Sequence, residues 1–181
     1  MAKRVFKTDL SVKGIEHLKK ELINYKNRTL PSMCKRFVER LAQEGISVAN
    51  QNVGSFKSYL LFMVVTEPKK DGCKALLLAK ETGKIINSWQ TKDGIKSAEI
   101  SPLLMTEFGS GWGAENPMSI PGVGQGTFPG QTHAFDKEGW YWQDLDGNWK
   151  HSKGITARMP MYKASEKIRK SIKTIAKEVS V

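Results

Sequence analysis

Apolar side chains recur at spacings of three and four early in the chain. Ile15, Leu18, Leu22 and Tyr25 fall on one side of a helix, with Glu16, Lys19, Lys20 and Glu21 on the other. The pattern predicts a first helix over residues 12–27. Pro31 is well placed to open a second, because its missing N–H costs nothing in a first helical turn. Phe37, Leu41 and Val48 continue that helix's apolar face towards Val53. The first third therefore reads as a helical pair, with residues 4–10 as a candidate short strand ahead of it.

From Tyr59 the period changes. Residues 59–66 and 74–79 are nearly continuous apolar runs, and Pro68-Lys-Lys-Asp-Gly72 between them supplies turn chemistry, so they predict a β-hairpin. A third strand is expected within residues 84–91, and Asp93-Gly94 marks a turn before a fourth over 95–100. At the other end Met161, Ala164, Ile168, Ile172, Ile175 and Val179 recur at helical spacing behind Pro160, with Lys163, Lys167, Lys170, Lys173 and Lys177 on the exposed side. The expected fold class is α+β: an antiparallel sheet of about four strands packed against N-terminal and C-terminal amphipathic helices.

Residues 109–130 break both periods. They hold 7 of the 16 glycines and 3 of the 7 prolines, a composition that reads as a long loop, mobile when the protein is alone. Beyond it, Gly139-Trp-Tyr-Trp-Gln143 and Gly147-Asn-Trp-Lys-His151 flank Asp144-Leu-Asp-Gly147, which predicts a second hairpin. The organisation expected is a single domain over residues 1–181, carrying a mobile loop at 109–135 and an aromatic hairpin at 137–152.

Composition narrows the class. The longest uninterrupted apolar stretch, residues 59–65, is far short of the roughly 20 residues of a membrane-spanning helix. The N-terminus has no apolar signal core, so neither membrane insertion nor export is expected. Two cysteines, Cys34 and Cys73, are too few and too far apart for a disulfide scaffold or a zinc site, and read as reduced, buried thiols. The net charge of +11 is uneven: residues 1–44 hold 11 basic against 5 acidic side chains, 45–149 hold 9 against 11, and 150–181 hold 9 against 2. Basic ends suit phosphate or an acidic protein surface, although most such runs are solvated helix faces.

No catalytic or metal constellation emerges. His17, His133 and His151 sit in unrelated segments without helical pairing or a nearby cysteine. A calcium loop over Asp144-Leu-Asp-Gly-Asn148 would need glycine at its sixth place and glutamate at its twelfth, where this chain has glycine at the fourth and Ile155 at the twelfth. Gly122-Val-Gly-Gln-Gly126 lacks the strand-to-helix context of a phosphate loop. Glu107-Phe-Gly109 matches the kinase tripeptide in letters only. The aromatic cluster says more. Trp140, Tyr141, Trp142 and Trp149 lie within ten residues, and alternation puts Trp140 and Trp142 on one strand face, with the turn expected to return Trp149 beside them. The group reads as an interface anchor or a satellite core. A base-stacking platform ranks behind both, because no basic residue lies between Lys137 and Lys150.

Three passages, in order, resemble the neck or head-tail joining proteins of long-tailed bacteriophages, also described as minor tail components. Ser101-Pro-Leu-Leu-Met-Thr-Glu-Phe-Gly-Ser-Gly111 is similar to that family's segment ending in Glu-Phe-Gly-Thr-Gly. Gly139-Trp-Tyr-Trp with Gly147-Asn-Trp-Lys-His-Ser-Lys-Gly154 resembles an aromatic hairpin inserted in versions from phages of Gram-positive hosts. Thr156-Ala-Arg-Met-Pro-Met-Tyr-Lys-Ala164 is similar to the Pro-aromatic-xx-Ala lead into the C-terminal helix, with Met161 where an aromatic is usual and Ser110 where threonine is usual.

The resemblance implies a non-enzymatic virion protein without catalytic residues, and no metal or cofactor is expected. It would form a homo-oligomeric ring between the capsid portal and the tail, contacting other connector and tail proteins, with DNA passing through. Made in the host cytoplasm, it would end in the virion and not in a membrane. The residues expected at the assembly interface are Phe108, Trp112, Phe128, Trp140, Trp142 and Trp149, with Phe108 and the segment from Trp112 to Phe128 ordering on assembly and the hairpin contributing anchors. A basic nucleic-acid-binding module is the alternative.

Overall fold

The computed structural model describes residues 6, 7, 9, 11–70, 72–117, 119–120 and 136–179. The fold is α+β and contains a four-stranded antiparallel sheet, as the sequence predicts. The chain gathers into two compact units. The first comprises Met1–Ile46, Val64–Leu78 and Ser165–Val181, and the second Ser47–Met63 and Ala79–Ala164.

In the first unit, α1 (Val12–Asn24) starts at Ser11, whose hydroxyl accepts the Gly14 N–H at 3.1 Å. The expected break before Pro31 is absent. The chain passes through a π-helical turn, Tyr25–Thr29, directly into α2 (Leu30–Asn52). Proline inside a helix removes one N–H and crowds the carbonyl four residues back. The wider turn, in which Leu30 N–H reaches the Tyr25 carbonyl, sits just ahead of Pro31 and relieves that crowding. No residue of α1 is fully buried. Packing concentrates instead at Gly45 of α2, where a Cβ would meet Ile168 Cδ1 at 2.7 Å and Leu77 Cδ2 at 3.0 Å. Ala42, Ile175 and Val179 are buried, and Arg40–Glu178 and Lys167–Glu44 pair at 3.3 and 3.2 Å. Of residues 4–10 only Phe6, Lys7 and Asp9 are described, and none of them is in a strand.

The expected hairpin over 59–79 is present as β1 (Leu60–Lys69) and β2 (Gly72–Glu81), but it forms a two-stranded sheet of its own. The four-stranded sheet lies in the second unit and has the order β4-β3-β6-β7. It joins β3 (Ile85–Thr91) and β4 (Gly94–Ile100) to the aromatic hairpin, β6 (Trp140–Gln143) and β7 (Trp149–Ser152). The hairpin is thus half of the main sheet. Under one sheet face lies a core of Ile100 and Met105, with Phe56, Ile85 and Leu104 packed against it.

The mobile loop expected over residues 109–135 does not hold for its start. Their first part is built in: Gly109, Ser110, Gly111, Gly113 and Ala114 are buried, and β5 (Ser110–Gly111) pairs with β8 (Gly154–Ile155). Residues 121–135, Phe128 among them, lie outside the described residues. Glycine is required at this crossing. At Gly154, φ is +95° and a Cβ would sit 2.0 Å from the Ser110 carbonyl oxygen. At Gly111, φ is +61° and the nearest atom would be the Lys153 oxygen at 2.3 Å.

Candidate functional site

Two carboxylates organise the helix starts of the second unit. The first serves α3 (Pro102–Phe108), which is capped by Ser101, whose hydroxyl accepts the Leu104 N–H at 3.1 Å. Glu81 from β2 adds a bond from the Ser101 hydroxyl and one from the Leu103 N–H at 3.0 Å. The second carboxylate, Glu107, leaves α3 and caps α4 (Pro160–Val179), accepting from Met161 N–H at 2.9 Å and Tyr162 N–H at 2.8 Å. The need for it is local. Met159 precedes the helix at φ +53° and has no side-chain acceptor, Pro160 has no N–H, and Lys163 N–H already bonds the Met159 carbonyl. The two orphan donors that remain are those Glu107 satisfies. Burial pushes the Glu107 carboxyl above its ordinary range, while the two amide bonds and Lys163 pull it back.

The strand register decides what the aromatic hairpin displays. Trp140 pairs with Ser152, Tyr141 with His151, Trp142 with Lys150 and Gln143 with Trp149. Residues directly opposite in an antiparallel pair share a face. Trp149 therefore stands on the Tyr141 face, not beside Trp140 and Trp142 as the sequence reading expects. The reason is the length of the connection. It spans the five residues 144–148, closed by Asp144 N–H to the Asn148 carbonyl at 2.9 Å and Gly147 N–H to the Asp144 carbonyl at 3.0 Å, with Gly147 at φ +84°. A tight turn centred on Asp146-Gly147 would have shifted the register.

Continuing across the sheet, Gln143 pairs with Gln90 of β3, and Gln90 with Ile95 of β4. One face thus carries a row, Ile95, Gln90, Gln143 and Trp149, flanked by Tyr141 and His151, whose rings stack with centroids 4.3 Å apart. Tyr141 is 71% exposed, Trp149 70% and Ile95 65%. Further along the same face Ser88 and Ser97 hydroxyls bond at 2.8 Å, and Glu99 pairs with Lys84 at 2.8 Å, which raises the lysine's pKa. Trp140 and Trp142 are half-buried on the opposite face, the one shared with Ile85 and Ile100.

Of the other residues expected at an interface, Phe108 is 7% exposed and belongs to the interior of the second unit. Trp112 is 56% exposed in a turn held by its own N–H to Lys153 and by Lys137 Nζ at 2.9 Å from the Ala114 carbonyl. Phe128 is outside the described residues. The five of these residues that are described are therefore not one cluster. The sequence reading missed Tyr141, His151, Gln90, Gln143 and Ile95 as a shared face. Counting strand ends on either side of a five-residue loop would have found part of it. Cys34 and Cys73 are free and partly buried. Among the described residues no three His, Cys, Asp or Glu side chains come together, and no helix is long and apolar enough to cross a membrane. Comparisons with protein-family models, with curated proteins and with solved structures give no match.

Proposed function

We propose that the protein is a structural subunit of a bacteriophage head-tail connector, a neck or tail-completion ring that joins the capsid portal complex to the tail without catalysing a reaction. The observation in support is that the first of the three passages carrying the resemblance bonds both of the others, which follow each other closely in sequence after residues 112–138. Ser110-Gly111 of the first pairs with Gly154-Ile155 at the end of the hairpin passage, and Glu107 of the first caps the helix that the third begins. The test is to locate the tagged protein in purified particles by cryo-microscopy and to delete its gene. Density at the head-tail junction, with unjoined heads and tails in the deletion, is expected. Absence from particles, or full yield of joined particles without the gene, overturns the reading.

One observation favours a second reading, a basic nucleic-acid-binding module. The first unit carries 19 Lys and Arg against 9 Asp and Glu, whereas the second carries 10 against 9. Bound phosphates release counterions, so binding to duplex DNA through the first unit must weaken steeply with salt. Replacing exposed Lys170 and Lys173 by glutamate should lower the salt slope by roughly one for each phosphate that is no longer neutralised. Binding indifferent to salt and to both replacements removes this reading.

A further inference from the structure

The open face of the four-stranded sheet has the properties of a surface made for a partner. Its row from Ile95 to Trp149 crosses all four strands. Its largest side chains are about 70% exposed. Tyrosine and tryptophan dominate the energetics of interfaces. At about 200 Å² each, with Ile95 and the amide stems added, they offer on the order of 500 Å² per copy, against about 800 Å² per partner in a standard interface.

Charge selects the occupant. Lys84 and Glu99, at the far end of the face, neutralise each other, and Lys150 is on the opposite face, paired with Asp144 at 3.5 Å. A polyanion finds no free cation on the row itself, which disfavours a strand of nucleic acid. For a second copy the same neutrality is an advantage. Copies of a chain with net charge +11 repel each other through the basic first unit, and much less through a unit with 10 basic and 9 acidic side chains. We infer that this face binds the same face of a second copy across a two-fold axis, the two sheets stacking about 10 Å apart with Trp149 and Tyr141 as anchors. The inference goes beyond the connector reading, since a ring needs two different patches on each subunit and this interface uses one patch twice.

Sedimentation of the full chain over about 5–500 μM tests it, a range chosen because an interface of this size should dissociate in the micromolar regime. The mass is expected to rise towards twice the monomer. Trp149→Ser and Ile95→Lys, at opposite ends of the row, should each weaken the dimer at least about tenfold without changing the thermal melt, because both side chains are exposed. Leu22→Ser, on an exposed position of α1, should leave it intact. A monomer at every concentration overturns the inference. So does a dimer that survives Trp149→Ser and Ile95→Lys, or one that Leu22→Ser dissolves. Binding of a single-stranded oligonucleotide that Trp149→Ser abolishes, with no self-association, replaces it by a stacking platform. A face-to-face dimer that both row variants dissolve while particles still assemble confirms the interface and leaves the connector reading standing.

Discussion

The two units of this chain specify their structures in different ways. The first is built from long amphipathic helices, with apolar contacts at flexible side-chain ends and ion pairs whose partners are largely exposed. Such pairs contribute about 0–1 kcal/mol each, and the unit's 19 basic side chains against 9 acidic work against compactness. The second is nearly neutral and is defined by the backbone: glycines at positive φ pressed against carbonyl oxygens, carboxylates aimed at helix N-termini, and a register fixed by one loop. A unit of the first kind should absorb substitutions, because side-chain ends can move aside. A unit of the second kind should not absorb them where backbone meets backbone or a carboxylate holds a helix start, although its exposed side chains remain replaceable.

Two glycines put that contrast to its strongest test. At Gly154 an added methyl would lie 2.0 Å from the Ser110 carbonyl oxygen with φ at +95°. Neither backbone can retreat without unpairing β5 from β8. Gly154→Ala is therefore expected to cost about 3 kcal/mol or more in urea denaturation, the range of strained backbone combined with overpacking. At Gly45 the nearest atoms are the tips of Ile168 and Leu77. Alanine in a helix interior also recovers about 1 kcal/mol relative to glycine. Gly45→Ala should then change stability by no more than about 1 kcal/mol. Equal losses at the two sites would erase the distinction between the units.

The same contrast explains how much was legible in the sequence. Periodicity located α1, α2, α4 and the first four strands, because burial on one face leaves its period in the residues. It also carried the α+β class. It could not show that the helices run on through a π turn, since Pro31 reads as a start signal whether the chain before it is a loop or a wider helical turn. It placed the hairpin but not its partners. Pairing of β6 with β3 rests on a single register point, Gln90 with Gln143, about fifty residues apart, and nothing local encodes such a pairing. The glycines around 109–113 looked like freedom and are constraint. Composition cannot separate a glycine that lets the chain wander from one that lets two backbones touch. For the expected interface, exposure divided the aromatic residues: Phe108 went to the interior and Trp149 to the open face.

Glu107 gives the next largest effect. Glu107→Ala leaves the Met161 and Tyr162 N–H groups without their acceptors, which should cost about 1–2 kcal/mol, as for a missing helix cap. The pH dependence separates this from simple loss of packing. Burial raises the carboxyl's pKa in the folded protein above its value of 4.5. Between those two values the folded chain holds a proton that the unfolded chain has released, so stability must fall as pH rises from 4.5 through the folded pKa. The stability difference between wild type and Glu107→Ala, measured by urea titration from acid to neutral pH, should therefore shrink over that window. A difference that grows instead would mean that the two amide bonds outweigh burial and hold the carboxyl below its ordinary range.

The smallest expected effect lies at Asp144, and it tests whether a register held by one loop is as exacting as a crossing held by glycine. The Asp144 carboxylate accepts from the Asn148 N–H at 2.8 Å and the Asp146 N–H at 3.1 Å. Its pKa is lowered chiefly by the Asn148 amide, against an opposing effect of burial, and the Asn148 side chain, Lys150 and the Asp146 amide add to the lowering. A carboxyl depressed below 3.8 contributes its stability above that value and loses it as pH falls through the folded pKa. The carboxylate is partly buried in a turn whose other residues, 145–148, are exposed, so global stability should barely move, by less than for Glu107→Ala. The local consequence should be larger. The loop sets which residue faces Gln143, and a slip of one position would turn Trp149 to the opposite face. Asp144→Ala should therefore leave the melting curve near wild type while broadening the amide resonances of β6 and β7 and weakening the Tyr141–His151 stack. Acid below the ordinary carboxylate range should reproduce those changes in the wild-type protein. If neither does, the five-residue loop is held by its two backbone bonds, by Gln143 Nε2 donating to the Gly147 carbonyl at 2.6 Å and by the positive φ of Gly147, and the second unit keeps its register without the Asp144 carboxylate.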